Sequence, residues 1–196
     1  MFGGGVKTRA LWSRQQQFFS NLLKKPFSVG AVAPSGRRLA ALMVSDIGPG
    51  SRVIELGAGT GVFTQAILDA GVAPSDLIVV EQNEEFVDLL KERFPGVTVI
   101  KANAISMRQH IGSLNGPADF VVSGLPLLLF PARRKVRLLS EAFRALRPGG
   151  YFHQFTYGGL CPVSRSVLQL LGLEASFLRF TLFNLPPAFV YRIQRR

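Results

Sequence analysis

The run "ELGAGTG" sets a carboxylate, Glu55, ahead of glycines at 57, 59 and 61, and a second carboxylate, Glu81, stands 20 residues beyond the last of them. A β-rich run, "RVIEL", leads into the glycines and a helical run, "VFTQAILDAG", leads out. At such a strand-to-helix turn, backbone N–H groups can meet a ligand that approaches closely. Glu81 closes the next β-rich run, "LIVVE", where a carboxylate can accept both hydroxyls of a ribose. These residues read as a nucleoside site. Their spacing narrows it: G-x-G-x-G is not the G-x-G-x-x-G of a dinucleotide loop, because Val62 stands where the last glycine would, and no Gly-Lys-Ser/Thr of a phosphate loop is found here.

The elements around the site follow an α/β rhythm. Strands are expected at "RVIEL", "LIVVE", "VTVIKA", "DFVVSG" and "YFHQFTY", with helices at "VFTQAILDAG", "EEFVDLLKERF" and "ARRKVRLLSEAFRALRPGG". Gly71, Pro95-Gly96 and Gly149-Gly150 supply the helix stops. A weaker helix is expected over 107–114 and a better one at "PVSRSVLQLLG". Two last β-rich runs, "ASFLRFTLFNL" and "AFVYRIQRR", flank Pro186-Pro187, a tight link that favours an antiparallel pair. Five parallel strands and a closing hairpin predict a Rossmann-like, mostly parallel sheet of seven strands.

Composition bounds the rest. The 196 residues suffice for one sizeable domain, and 47% apolar against 18% charged residues excludes a disordered chain. No apolar run approaches the roughly 20 residues that a spanning helix needs, and no secretory signal is evident. Cys161, the single cysteine, permits no internal disulfide and fits a reducing cytoplasm. A net charge of +11 fits a solubility-tuned surface or, more sharply, an anionic partner, either nucleic acid or a membrane face. Before Asp46, the first acid, come Lys7, Arg9, Arg14, Lys24, Lys25, Arg37 and Arg38. In the same region, "ALWSRQQQFFSNLLKKP" sets Leu11, Trp12, Phe18, Phe19, Leu22 and Leu23 at helical spacings. That stripe suits a helix packed on the domain, or one lying in a bilayer interface with its cations on lipid phosphates. Residues 1–45 therefore read as an N-terminal amphipathic and basic segment, for membrane docking and as a lid, and 46–196 as the catalytic domain.

E-x-G-x-G-x-G with an acid ending the next strand resembles the class I S-adenosylmethionine-dependent methyltransferases. The resemblance implies that Gly57, Ala58, Gly59 and Gly61 pass the methionine portion and that Glu55 anchors its amino-acid end. It further implies that Glu81, with Gln82 beside it, holds the ribose, and that Asn103 and Ala104 contact adenine. The resemblance also implies that Ser123 borders the cofactor, that Ser35 and Gly36 close over it, and that no metal is required.

A narrower likeness rests on "KKPFSVGAVAPSGRRLAALM", "SGLPLLLFP", "FTYGGLCPV" and "NLPPAFVYRI". Together these resemble bacterial phospholipid N-methyltransferases of the small soluble type, which methylate phosphatidylethanolamine toward phosphatidylcholine. Methyltransferases that act on base amines often carry an aromatic just after the fourth strand, where it stacks on the extruded base. Here Leu127 holds that place, with Leu128, Leu129 and Phe130 after it. These leucines are expected to face lipid, the alternative being a buried turn. Backbone carbonyls of Ser123, Gly124 and Leu125 would orient the acceptor nitrogen. Tyr157 would contact the amine by hydroxyl or ring, a structural role being the other option. Trp12, Phe18, Phe19, Lys24, Lys25, Arg37, Arg38, Arg133, Arg134 and Lys135 are the expected lipid contacts. His110 and His153 are not expected to be bases. The family's kinship to ribosomal RNA adenine dimethyltransferases keeps nucleic acid as the rival acceptor. The expectation is thus a cytoplasmic enzyme bound peripherally to the inner membrane face, with anionic lipids and phosphatidylethanolamine as partners.

Overall fold

The parallel core of the sheet is made by strands that are apolar on both faces. β1 (Val53–Leu56) is buried throughout, as is most of β2 (Leu77–Glu81) and β4 (Ala118–Ser123). Continuous apolar runs of this kind belong inside a sheet covered by helices on both sides. β3 (Thr98–Lys101), half exposed, forms one edge. β5 (Leu146–Tyr157), β6 (Leu173–Thr181) and β7 (Ala188–Arg195) complete the sheet in the order β3-β2-β1-β4-β5-β7-β6. β1 to β5 are parallel, while β7 is antiparallel to both β5 and β6. The chain direction across the sheet reverses between β1 and β4, so a crevice opens beyond their carboxyl ends, the place where open α/β sheets bind ligands.

These features come from a computed structural model, which describes residues 34–111, 116–157, 159–182 and 187–196. The expected lipid contacts Trp12, Phe18, Phe19, Lys24 and Lys25 lie outside the described residues, as does the side chain of Ser35.

α1 (Pro34–Met43) packs through Leu39 and Met43 on the same sheet face as α2 (Val62–Asp69) and α3 (Glu84–Arg93). The other face is covered by α5 (Ala132–Ala145) and α6 (Arg165–Leu170), with the single turn α4 (Arg108–Ile111) nearby. Asn83 caps α3 by accepting the N–H groups of Glu85 and Phe86, and acids in its first turn with bases in its last complement the helix dipole. Buried His153 on β5 ties down the end of α1, its Nδ1 lying 2.9 Å from the Met43 carbonyl. Next to it, Arg192 and Arg179 pair with Asp46. Burial alone would raise the Asp46 carboxyl, yet the Arg192 guanidinium holds it below its ordinary value. Residues 33–196 form one compact unit, and no described helix is long and apolar enough to cross a membrane.

The third long helix departs from expectation. It ends at Ala145 rather than at Gly149-Gly150, because Leu146 pairs with Ala118 and Pro148, which lacks an N–H, cannot prolong a helix. β5 therefore starts earlier, with its register shifting between Ala118 and Phe120.

Candidate active site

The glycine turn and the loop after β4 interlock backbone to backbone. The Gly57 N–H donates to the Val80 carbonyl at 2.9 Å, and the Gly124 N–H to that of Leu56 at 2.8 Å. A Cβ on Gly124 would lie 2.5 Å from the Gly57 oxygen, so only glycine fits there. Gly59 differs: at φ 55°, a Cβ on it would meet nothing within 4 Å, so its backbone borders open space. Within the turn, the Gly61 N–H donates to the Ala58 carbonyl at 3.0 Å.

Glu81, nearly buried, gathers three backbone donors. Oε2 accepts from Gly59 at 3.0 Å, and Oε1 accepts from Gln82 and Asn83 at 2.8 and 2.9 Å. A carboxylate offers about four acceptor positions, so Oε2 retains capacity for a hydroxyl. Glu55 is fully buried; its Oε2 accepts from the Thr64 hydroxyl at 2.6 Å, and its Oε1 has no partner among the described residues. Burial, helped by the neighbouring Glu81 charge and opposed by Thr64, pushes its carboxyl up to about 8. A buried carboxyl with one idle oxygen beside an open glycine turn is ready for a cationic partner. Asn103 caps the turn Ala104–Ser106, its Oδ1 accepting from the Ile105 N–H at 3.1 Å, and that turn follows β3 directly.

On the acceptor side, Tyr157 ends β5 on the face that carries Glu55. Its ring meets Phe155 edge-on at 5.6 Å, and Phe155 meets Phe63, at the start of α2, at 5.8 Å. Gly36 brings the start of α1 against the same place, a Cβ on it lying 3.9 Å from Val62. Arg37 and Arg38 are exposed there.

Three expectations are corrected. Leu127 is 1% exposed and belongs to the core beneath α5, so it does not face lipid. The short helical turn Leu127–Leu129 points its first residue inward and leaves Leu128, Leu129 and Phe130 half-buried. The Leu125 carbonyl is already taken, since it accepts from Gln154 Nε2 at 3.0 Å and from the Leu127 N–H at 2.9 Å. With both lone pairs used it cannot orient a substrate. The Gly124 carbonyl accepts no hydrogen bond from the described residues outside the strands. The Ser123 hydroxyl, fully buried, faces the Leu125 N–H at 3.4 Å. Arg133 and Arg134 are exposed, and Arg134 lies 4.1 Å over the Phe130 ring. Lys135 instead donates to the Pro162 carbonyl at 2.6 Å, its ammonium pKa lowered by burial.

Sequence reasoning missed Thr64, Asn83 and Gln154. Asn83, just ahead of two acids and an apolar run, carried a readable helix-start signal, and Gln154 a weaker one, a long polar residue within a strand rich in aromatics.

Residues 53–150 match the family described as methyltransferase domain. An ornithine lipid N-methyltransferase of Singulisphaera acidiphila is 33% identical over 181 residues, which span 89% of this chain and 92% of the relative. The chain is a class I S-adenosylmethionine-dependent methyltransferase. A ribosomal RNA large subunit methyltransferase E of Granulibacter bethesdensis is also similar to this methyltransferase, 34% identical over 157 residues, or 70% of this chain and 64% of the relative. The magnesium protoporphyrin IX methyltransferase of Synechocystis, solved with bound cofactor, shares the fold at TM-score 0.63 and 13% identity over 100% of both chains. S-adenosylmethionine is the cofactor, and the residues fit it. The idle Glu55 oxygen suits an α-ammonium, the open space at Gly59 suits a ligand held against backbone, and the spare Glu81 capacity suits a ribose hydroxyl.

Proposed function

We propose that this methyltransferase methylates the headgroup amine of phosphatidylethanolamine and its partly methylated forms, working peripherally at the inner face of the cytoplasmic membrane. The observation that carries the proposal is the surface just beyond Gly124. There Leu128, Leu129 and Phe130 are half-buried, Phe130 packing against the core, and the Arg134 guanidinium lies over the Phe130 ring. Apolar surface and cation in one turn of chain match the two halves of a phospholipid, acyl chain and phosphate. An extruded base would want an aromatic platform, and Leu127 is buried in its place. The lipid-modifying relative lends independent support.

What the bound cofactor supplies is an electrophilic methyl group on a sulfonium. The protein aligns a lone pair with it and keeps water away. For the primary and secondary amines, the Gly124 carbonyl accepts an N–H after the ammonium has lost its proton to solvent, which directs the lone pair toward the methyl group; the tertiary amine of a last transfer keeps no N–H and is aligned by the pocket walls alone. The Tyr157 ring faces the methylated amine once it is cationic. Glu55 holds the amino-acid end of the cofactor and Glu81 its ribose.

A second reading, methylation of RNA, is favoured by the net charge of +11 and by the ribosomal RNA methyltransferase relative. Expression in a bacterium that makes phosphatidylethanolamine but no phosphatidylcholine separates the two. Mass spectrometry of the lipid extract should show phosphatidylethanolamine carrying added methyl groups. An unaltered lipid extract together with newly methylated RNA would overturn the proposal.

A further inference from the structure

The hairpin β6–β7 carries an aromatic cluster that no catalytic step uses. Phe177 pairs with Tyr191, Arg179 with Val190 and Phe180 with Phe189, so Leu178 is an extra residue bulged from the ladder. In a regular strand, residues three apart would point to opposite faces. The bulge puts Phe177 and Phe180 on one face. There the rings of Phe177 and Phe180 lie 6.3 Å apart, and each lies within 6.3 Å of Phe189. Packed together, Phe177 and Phe180 still remain 52% exposed each, with Leu182 at 67% and Leu160 at 72%.

This patch lies at the active-site end of the sheet. Phe189 pairs with Thr156, the residue before Tyr157. A Cβ on Gly159 would lie 3.5 Å from the Phe189 ring, and the Tyr191 hydroxyl donates to the Gly159 carbonyl at 2.6 Å. The same loop continues to Pro162, which Lys135 of α5 holds. The loop that carries exposed Leu160 therefore links the Phe177, Phe180 and Phe189 cluster to the first turns of α5, where Arg133 and Arg134 stand.

We propose that this aromatic rim is a bilayer-contact surface, which seats the acceptor end of the site against an anionic lipid face. For its use, the inference rests on the lipid reading above. Charge selects the occupant. The first turn of α5 carries Arg133 and Arg134 with no acid, and a second copy of a chain charged +11 would bring like charges together. Exposed aromatics flanked by cations are what a headgroup boundary binds.

The test uses the full chain and vesicles of phosphatidylglycerol and phosphatidylcholine, which offer no amine to methylate. Phe177→Ser with Phe180→Ser should weaken vesicle co-sedimentation by about tenfold while calorimetric cofactor affinity stays constant. Undiminished vesicle binding would overturn the rim and leave the proposed acceptor standing. Conversely, label reaching RNA alone would sink the acceptor without touching vesicle binding. In a Trp12→Phe background, Phe180→Trp keeps the patch apolar, and its fluorescence should shift to the blue when vesicles are added. An unshifted emission contradicts the rim, and so does a wild-type dimer that the double variant dissolves, because the partner would then be a second copy.

Discussion

Gln154 donates its side-chain amide to the Leu125 carbonyl at 3.0 Å and to the Phe155 carbonyl at 2.8 Å, joining the loop after the fourth strand to the fifth strand. The loop that presents the Gly124 carbonyl is thereby pinned from below by a fully buried side chain. Gln154→Leu should lower kcat about 10- to 100-fold, because a misplaced acceptor loses alignment, while the cofactor Kd changes little. Steady-state kinetics alongside calorimetry separate these effects. Equal losses in cofactor binding and kcat would reduce Gln154 to general support of the fold.

Glu55 predicts a pH dependence with a definite sign. Its carboxyl has an ordinary value of 4.5 and is pushed up to about 8 by burial in the cofactor-free protein. The folded state therefore holds the proton more tightly than the unfolded one. Its contribution to stability is complete below pH 4.5 and is lost as pH rises through about 8. The Tm of the cofactor-free protein should fall across that window, and Glu55→Gln should flatten the fall. Cofactor binding at neutral pH should release a proton, which calorimetry in buffers of different ionisation heat detects.

The glycines at 57 and 59 should fail in different ways. A Cβ at Gly57 would lie 2.5 Å from Leu125 Cδ2, whereas one at Gly59 would enter open space. Gly59→Ala should cost about 1 kcal/mol of stability for its left-handed backbone and a much larger share of cofactor affinity. Gly57→Ala should lower Tm further, since the Leu125 side chain must also move aside. Thermal melts and cofactor titrations on both variants check the contrast. Glu81→Ala, which releases the Gly59 N–H, should weaken cofactor binding in the same titrations.

The leucines after the fourth strand divide likewise. Leu127→Ala should destabilise the protein by about 2–5 kcal/mol, because Leu127 is buried in the core. Leu129→Ser should leave Tm nearly unchanged and raise the KM for a vesicle-borne acceptor. Denaturant melts and lipid kinetics on the two variants distinguish core from rim.

The strands and the glycine turn were legible in the sequence because each rests on local rules. Apolar runs with turn residues between them mark parallel strands, and closely spaced glycines mark a backbone that meets a ligand. Leu127 and Leu125 were misread because their roles depend on contacts distant in sequence. Nothing in "LPLLLF" says that a short helical turn will send its first leucine inward, and nothing near Leu125 says that Gln154, 29 residues on, will occupy its carbonyl. The start of β5 was misplaced for a similar reason, as the pull of Ala118 on Leu146 is a tertiary contact.

The central claim, that the acceptor is a lipid amine, is tested most directly by label transfer from S-adenosylmethionine with purified protein. Vesicles containing phosphatidylethanolamine, its monomethyl form or its dimethyl form are offered separately beside ribosomal RNA. Label in at least one of these lipids and none in RNA is the predicted result, and the lipids that take it define the methylation range. Label in RNA alone would contradict the account and return the apolar turn after Gly124 to a purely structural role.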